Sequence, residues 1–582
     1  MRRVQPMWLL GLGVVGAAVV VGCRGPMDRD GDLALREQLI TEYRTRMTSI
    51  ANAGVVEVSR DPSEVEAKLT DERRQELDAM SGVDAYRDDP LELGPDLLGR
   101  ADAQEQAVAL SLEDAIRMTV QNNLDVRTAR LAPAISRAQV VAAEAAFDAT
   151  FFTTAEWAKL DTPQPPGAIP GLSGDTQSEN FELTTGLNKP LTSGGVVALE
   201  NTIRREERVP SFIGVSSFYD NDLALSLNQP LLRGFGVDVN TAQIVLAENA
   251  RDRDIEALRR ELLDQAQAAE AAYWSLHLAR QQLLIQTRLL ERTIEDRDRL
   301  EKRAEFDAAP VQVTESNSFV ELRRSDVIRA RQTVRDASDA LKRLINSDEL
   351  PVAGETLLLP TDEPGQAAVE LSLLDAVTTA LRRRPELQSA LLSINDATVR
   401  QRVADNARLP LLDLGASVVY SGLDVDQPAD AFGNSFEGNY IDYLLSANFE
   451  QPIGNRAAEA EYTAARLQRR QAVLGYQNAA QVVVLEVKQA MRSIRTAYEL
   501  IGANRAARRA AADNLRAMQV QENEGAALTP EFINLKLQSQ ERLALAELEE
   551  ARALVDYANA LTAFDRATGS LLERNNIIFD AE

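Results

Sequence analysis

The sequence predicts an α+β membrane protein: long antiparallel coiled-coil helices, strands suited to a β-barrel, and an internal duplication that repeats both. Three observations carry this. Glycine and proline are absent from Val237 to Ala309, about 70 residues, which at ~1.5 Å rise each makes a helix of roughly 100 Å. Apolar and polar residues alternate in several runs of strand length, as in Leu223 to Asn228. The landmarks of the first half also return in the same order in the second.

The helices come first. Ile255, Leu258, Leu262, Ala266, Ala269, Tyr273 and Leu276 recur at the three-four spacing of a coiled-coil seam. The second half repeats this from Arg456 to Glu524, with Val482, Leu485 and Val487 in a dense apolar segment. Aromatic residues make up only 5% of the chain, which favours a narrow apolar seam over a compact aromatic-rich core. Helices of this length belong to rods and tubes.

The strands have two unlike faces. Ile441, Tyr443, Leu445, Ala447 and Phe449 fall on one side, and Asp442, Ser446, Asn448 and Glu450 on the other. Phe181 to Leu187 and Val197 to Ile203 alternate similarly, joined by the turn Thr192-Ser-Gly-Gly. A half-buried soluble sheet has the same period. The N-terminus favours a membrane barrel with a wet lumen. Arg2 and Arg3 precede an apolar run from Met7 to Val21, a secretory signal over residues 1–22 that is too short to span a bilayer. It ends in Val20-Val21-Gly22-Cys23, which resembles a bacterial lipobox, so Cys23, the only cysteine, is the expected site of lipid (palmitate) attachment. Arg24 follows it, not the aspartate associated with inner-membrane retention. No later stretch holds 18 consecutive apolar residues. An exported chain without such a stretch enters a membrane only as a closed barrel.

Residues 23–105 read as a lipid-anchored N-terminal tether, partly disordered, with one helix from Leu33 to Ile50. The first repeat spans 106–350, a linker 351–366, the second repeat 367–575 and a tail 576–582. Ser111-Leu-Glu-Asp-Ala-Ile opens the first repeat and Ser372-Leu-Leu-Asp-Ala-Val the second, each with serine as helix N-cap. Asn122-Asn-Leu-Asp-Val then answers Arg384-Pro-Glu-Leu, and the β zones close on Asn228-Gln-Pro-Leu and Glu450-Gln-Pro-Ile. The returning helices end at Asp339 to Asn346 and Asn559 to Arg566.

Little in the chain supports catalysis. The net charge of −26 argues against a nucleic-acid partner. His277, the only histidine, lies beside Trp274 and Leu276 in a long helix and reads as a packed side chain without the companions a metal needs. There is no phosphate-binding loop and no nucleophile elbow. The carboxylates from Glu291 to Arg303 alternate with arginines as on a solvated helix face. No enzyme activity, cofactor or metal site is expected.

Taken in order, Ser111-Leu-Glu-Asp-Ala-Ile with Asn122-Asn, the strand exit Gln229-Pro-Leu-Leu-Arg-Gly-Phe-Gly, the duplication and Ala567-Thr-Gly-Ser-Leu-Leu resemble the TolC-like outer-membrane efflux protein family over roughly residues 105–575. The resemblance implies a homotrimer, whose protomers give strands to one shared transmembrane barrel, twelve in the usual arrangement, and whose long helices form a periplasmic tunnel. It implies a passive exit duct of a tripartite efflux or type I secretion system, placed in outer-membrane lipid. The partners would be a periplasmic adaptor (membrane fusion) protein and an inner-membrane transporter. Pro230 and Pro452 would mark strand-to-helix transitions, their missing N–H falling where an early helix N–H lacks a partner anyway.

The sequence departs from that family at two places. The first half offers four β segments and the second only two, so the extra pair around Gly194-Gly195 is either a surface hairpin or an enlargement of the barrel. The candidate periplasmic aperture and adaptor-docking turns also differ from each other. Glu522, Glu524, Gly525, Pro530 and Glu531 surround a turn that resembles the family's tip motif, whereas Glu305, Asp307 and Pro310 flank a turn without its glycine. Carboxylates repeated around a trimer's narrow end would favour cations, and salt bridges to arginines could hold it shut. The alternative is a lipid-anchored, non-conducting coiled-coil structural or adhesive envelope protein, against which the alternating strands argue.

Overall fold

The computed structural model describes residues 37–38, 40–42, 45, 55–57, 63–86, 91, 93–94, 107–161, 177–209, 217–303, 310–524 and 529–578. Its helices repeat almost residue for residue. Leu112–Asn122 and Leu373–Arg383 are 11 residues each, followed by Leu124–Glu144 with 21 and Pro385–Asn406 with 22. After the strands come α1 (Ala242–Arg303, 62 residues) and α2 (Pro310–Ile345, 36), answered by α3 (Arg456–Asn523, 68) and α4 (Pro530–Thr568, 39). Both expected serine caps are present: Ser111 Oγ accepts from the Asp114 N–H at 3.1 Å, and Ser372 Oγ from the Asp375 N–H at 3.3 Å.

The described chain folds as two compact units, each drawing on both repeats. One contains residues 134–252 and 391–475 and is built on six strands: β1 (Thr150–Asp161), β2 (Gln177–Pro190), β3 (Val196–Val209), β4 (Ser217–Pro230), β5 (Leu411–Asp424) and β6 (Ile441–Glu450). They form one antiparallel sheet in sequence order, with β1 and β6 at its edges. The hairpin β2–β3 is therefore part of the sheet and not an appendage. Register aligns the alternating residues across all six: Phe151 faces Leu187, Leu187 faces Leu199, Leu199 faces Leu225, Leu225 faces Val418 and Val418 faces Tyr443. Because side chains alternate along a strand, this register puts the apolar sets on one face and the polar sets on the other.

The other unit contains residues 36–133, 253–390 and 476–582. Of the expected seam, Leu258, Leu262, Ala266, Ala269, Tyr273 and Leu276 are buried, and only Ile255 is half-buried. Tyr273 anchors a cluster with Leu276, Leu283, Val334 and Leu358. Its hydroxyl accepts from the Thr361 N–H at 3.0 Å and lies 2.8 Å from an Asp362 carboxylate oxygen. The expected linker contributes structure here, since Leu357–Pro360 pairs in parallel with Ala107–Leu110.

Two expectations need correction. Val482 and Leu485 are exposed, because the buried stripe of α3 runs instead through Tyr476, Ala480, Val483, Val487 and Ala490. Residues 63–86 are not a loose tether. Leu77 packs with Ala512, Leu515 and Leu543, and Tyr86 with Leu284, Ile285 and Ala544. Val55–Glu57 also pairs antiparallel with Glu370–Ser372. The polar composition of this segment supplies partners for buried arginines, as described below.

Candidate functional site

The six-stranded sheet is the first candidate element. Its apolar face carries Phe151, Trp157, Leu187, Leu199, Leu225 and Leu445, all exposed in the single chain, Leu445 to 81%. An apolar patch of that extent is stable only against lipid or another protein. The opposite face carries Glu182, Thr184, Thr202, Arg204, Asp220, Asp222 and Asp442. Arg204 on β3 reaches both neighbours, at 3.1 Å from Glu182 on β2 and 3.1 Å from Asp220 on β4. Asp222 on β4 accepts from Ser421 Oγ on β5 at 2.6 Å. A polar face laced by such pairs suits water, as the lining of a lumen.

One stretch of the apolar face is covered by the chain itself. Helix Pro428–Ser435 lies over Asn221 and Gly422. Asn201 Nδ2 donates to Asn221 Oδ1 at 2.8 Å, and Asn221 Nδ2 to Ser435 Oγ at 2.8 Å, so both asparagines find partners. A Cβ at Gly422 would come within 2.1 Å of the Ala431 carbonyl oxygen, which is why glycine stands there. Phe432 and Phe436 stack edge to face at 5.1 Å and remain exposed, as aromatic residues do at a membrane interface.

The strand exits explain the motif that marks them. Gln229 ties the turn of the β2–β3 hairpin, with Ser193 Oγ donating to its Oε1 at 2.8 Å. Asn406 Oδ1 accepts from the Gly234 N–H at 2.7 Å, and Asn240 Nδ2 donates to the Gly234 and Gly236 carbonyls, each at 2.8 Å. Gly194 and Gly234 adopt φ of +93° and +83°, and a Cβ on Gly194 would come within 2.2 Å of the Gly234 carbonyl oxygen. Pro230 is the last residue of β4, and Pro452 lies two residues beyond β6, while the helices begin only at Val237 and Arg456. The prolines therefore end strands and do not occupy a first helical turn.

The candidate turns are placed only in part. Cys23, Glu305, Asp307 and Gly525 lie outside the described residues, as does most of the helix expected from Leu33 to Ile50. Pro310 and Pro530 begin α2 and α4, and Thr529 caps α4 by accepting from the Phe532 N–H at 3.3 Å. Glu524 and Glu531 are exposed. Glu522 is not a free carboxylate. Lys536 Nζ on α4 lies 2.5 Å from Glu522 on α3 and 2.7 Å from Asp296 on α1, and Gln540 Nε2 donates to Asp296 at 2.8 Å. Arg299 stands 3.6 Å from Glu522 on its other side.

A second ion cluster lies elsewhere in the same unit. Arg508 donates to Glu550 at 2.5 Å and to Asp78 at 2.6 Å, Arg505 to Glu550 at 2.7 Å, and Arg509 to Asp78 and Glu66 at 2.7 and 2.8 Å. Burial and the Glu547 carboxylate push the Tyr86 hydroxyl up, and burial raises Glu547 to about 7. Sequence reading found neither cluster, since the partners are far apart in the chain. His277 is buried beside Trp274 at 5.9 Å, and burial lowers it to about 4, so it stays neutral. Among the described residues no group of three or more His, Cys, Asp or Glu could hold a metal, and no helix is long and apolar enough to cross a membrane.

An open sheet with one apolar face, one polar face and two unpaired edges has the form of a segment of β-barrel wall. Residues 376–570 match the family described as outer membrane efflux protein. The fold is shared with solved outer-membrane channels. CmeC of Campylobacter jejuni is 15% identical, covering 79% of this chain and 86% of its own, with a TM-score of 0.56. MtrE of Neisseria gonorrhoeae is 17% identical, covering 81% and 90%, at 0.55. VceC of Vibrio cholerae is 14% identical, covering 79% and 96%, at 0.56. No curated protein matches the chain by sequence. The second repeat thus matches the outer membrane efflux protein family, and the chain as a whole shares its fold with solved outer-membrane channels.

Proposed function

We propose that the chain is a passive exit duct in the outer membrane. Three copies would close one barrel and pack their long helices into a periplasmic tunnel, with an adaptor and an inner-membrane transporter delivering the substrate. The sheet carries the proposal, because its lipid-suited face, wet face and two free edges make sense only in a closed wall. Exposed apolar residues along single helices support assembly: Leu467 and Leu474 on α3, and Leu124 and Leu131 on the helix Leu124–Glu144, are each exposed to about 60%. Neighbouring copies of the same helices are the occupants that would cover them. The transporter would supply the energy; the family is one of channels.

The test is reconstitution of the purified full chain into a planar bilayer, with mass measured in the same preparation. A trimer giving stable conductance supports the duct, and a non-conducting protein overturns it. Anchoring at Cys23 is part of the same proposal. Cys23→Ser should abolish incorporation of labelled palmitate while leaving the barrel intact; persistent labelling would place the acyl group elsewhere.

A further inference from the structure

We infer that the barrel closes with eighteen strands, six from each of three copies, and is therefore wider than a twelve-stranded one. The inference rests on the trimeric duct proposed above. Pairing is unbroken from edge to edge: Thr150 to Asp161 lies opposite Asn188 to Gln177, and the register continues through β3, β4 and β5 to Ile441–Glu450. A twelve-stranded barrel would need two strands per copy to leave the wall, with the hairpin β2–β3 as the natural choice.

The side chains of that hairpin argue against its leaving. Leu187 and Leu199 continue the apolar face, exposed to 43% and 45%, which a hairpin in water would have no reason to carry. Arg204 bridges Glu182 and Asp220, a pairing that exists only while β2, β3 and β4 are neighbours. The short turn Thr192 to Gly195 is locked against the strand exit by Gln229 and Gly234. The segments 162–176 and 210–216 join the strands at their other ends. One short turn at this rim and connections of longer sequence at the other match the pattern of outer-membrane barrels.

Closure follows from the edges. In a six-strand meander β1 and β6 run antiparallel, so β6 of one copy can continue the sheet through β1 of the next. Neither edge can stay unpaired in lipid. With strands about 4.8 Å apart and tilted about 40°, eighteen strands give a backbone diameter of about 36 Å and twelve give about 24 Å.

Pulsed dipolar spectroscopy on the full-length protein, reconstituted in lipid, measures this directly. Ser417 lies on β5, which stays in the wall under either arrangement. With Cys23 acylated or replaced by serine, Ser417→Cys provides the one spin-label site. Three-fold related labels are expected about 31 Å apart between backbones in an eighteen-stranded barrel and about 21 Å apart in a twelve-stranded one. The shorter distance, from a conducting trimer, would overturn the eighteen-strand wall and leave the duct standing. Absence of any dipolar coupling would remove the trimer, and with it both readings.

Discussion

Lys536→Met tests whether the ends of three long helices are held by one buried cation. Its ammonium sits 2.7 Å from Asp296 and 2.5 Å from Glu522, and the three side chains are only 7%, 11% and 13% exposed. Exposed ion pairs contribute at most about 1 kcal/mol, but removing one partner from a buried group costs about 3–5 kcal/mol, because the charge left behind has neither water nor a counterion. Here two carboxylates are left facing each other. Gln540 still donates to Asp296, and Arg299 still stands near Glu522, so the loss belongs at the lower end, about 3 kcal/mol. Amide hydrogen exchange in residues 290–300, 518–524 and 532–542 reads it locally, and about 3 kcal/mol corresponds to opening more than a hundredfold easier. The triple variant with Asp296→Asn and Glu522→Gln should recover most of the protection. Exchange within about threefold of the parent, less than ~1 kcal/mol, would refute the clamp.

Three further outcomes follow from the same unit and the sheet. Glu547 is held protonated by burial up to about 7, well above the ordinary glutamate value of 4.5, so the folded state binds the extra proton, and stability falls as pH rises through 7. Thermal unfolding should show a penalty on the order of 3 kcal/mol by pH 8 to 9, which Glu547→Gln removes; an unchanged pH profile in that variant would be the wrong result. Arg508→Met leaves Glu550 with Arg505 alone and strips Asp78 of one partner, so residues 63–86 should become sensitive to limited proteolysis, at a cost of about 3–5 kcal/mol. Asn221→Ala leaves the Asn201 amide and Ser435 hydroxyl short of a partner, and should loosen helix Pro428–Ser435 by about 1–3 kcal/mol in hydrogen exchange, with no effect on residues 530–568.

Which features were legible depends on how local their cause is. Strand alternation is a period of two within ten residues, so Ile441 to Phe449 announced its two faces without any partner. The serine caps needed four residues, and the duplication needed only order. What a strand pairs with is not local. Phe181 to Leu187 showed the same alternation whether the hairpin stood apart or in the wall, and only the register to Leu199 and Leu225 decides. Val482 and Leu485 looked like core because hydropathy ignores which side of a helix is occupied, and they lie off the stripe through Val483 and Val487. Residues 63–86 misled for a related reason. Acidic residues in a polar segment suggest solvent, yet Glu66 and Asp78 neutralise Arg508 and Arg509 more than 400 residues later.

The same distinction separates the carboxylates at the second-repeat turn. The sequence offers Glu522, Glu524 and Glu531 as equivalent members of a charged ring, but Glu522 is neutralised within the chain by Lys536, with Arg299 beside it. Glu524 and Glu531 are exposed, so if this turn lines the aperture of the duct, they are the groups that act on ions passing through. Glu524→Gln with Glu531→Gln should shift the reversal potential measured in a salt gradient away from cation preference, in proportion to the six charges lost from a trimer. Glu522→Gln should barely move it, because Lys536 and Asp296 remain paired, while hydrogen exchange at residues 518–524 accelerates. A selectivity shift from Glu522→Gln as large as that from the exposed pair would mean that the Lys536 clamp opens in the conducting state, and that its closed geometry belongs to a shut aperture.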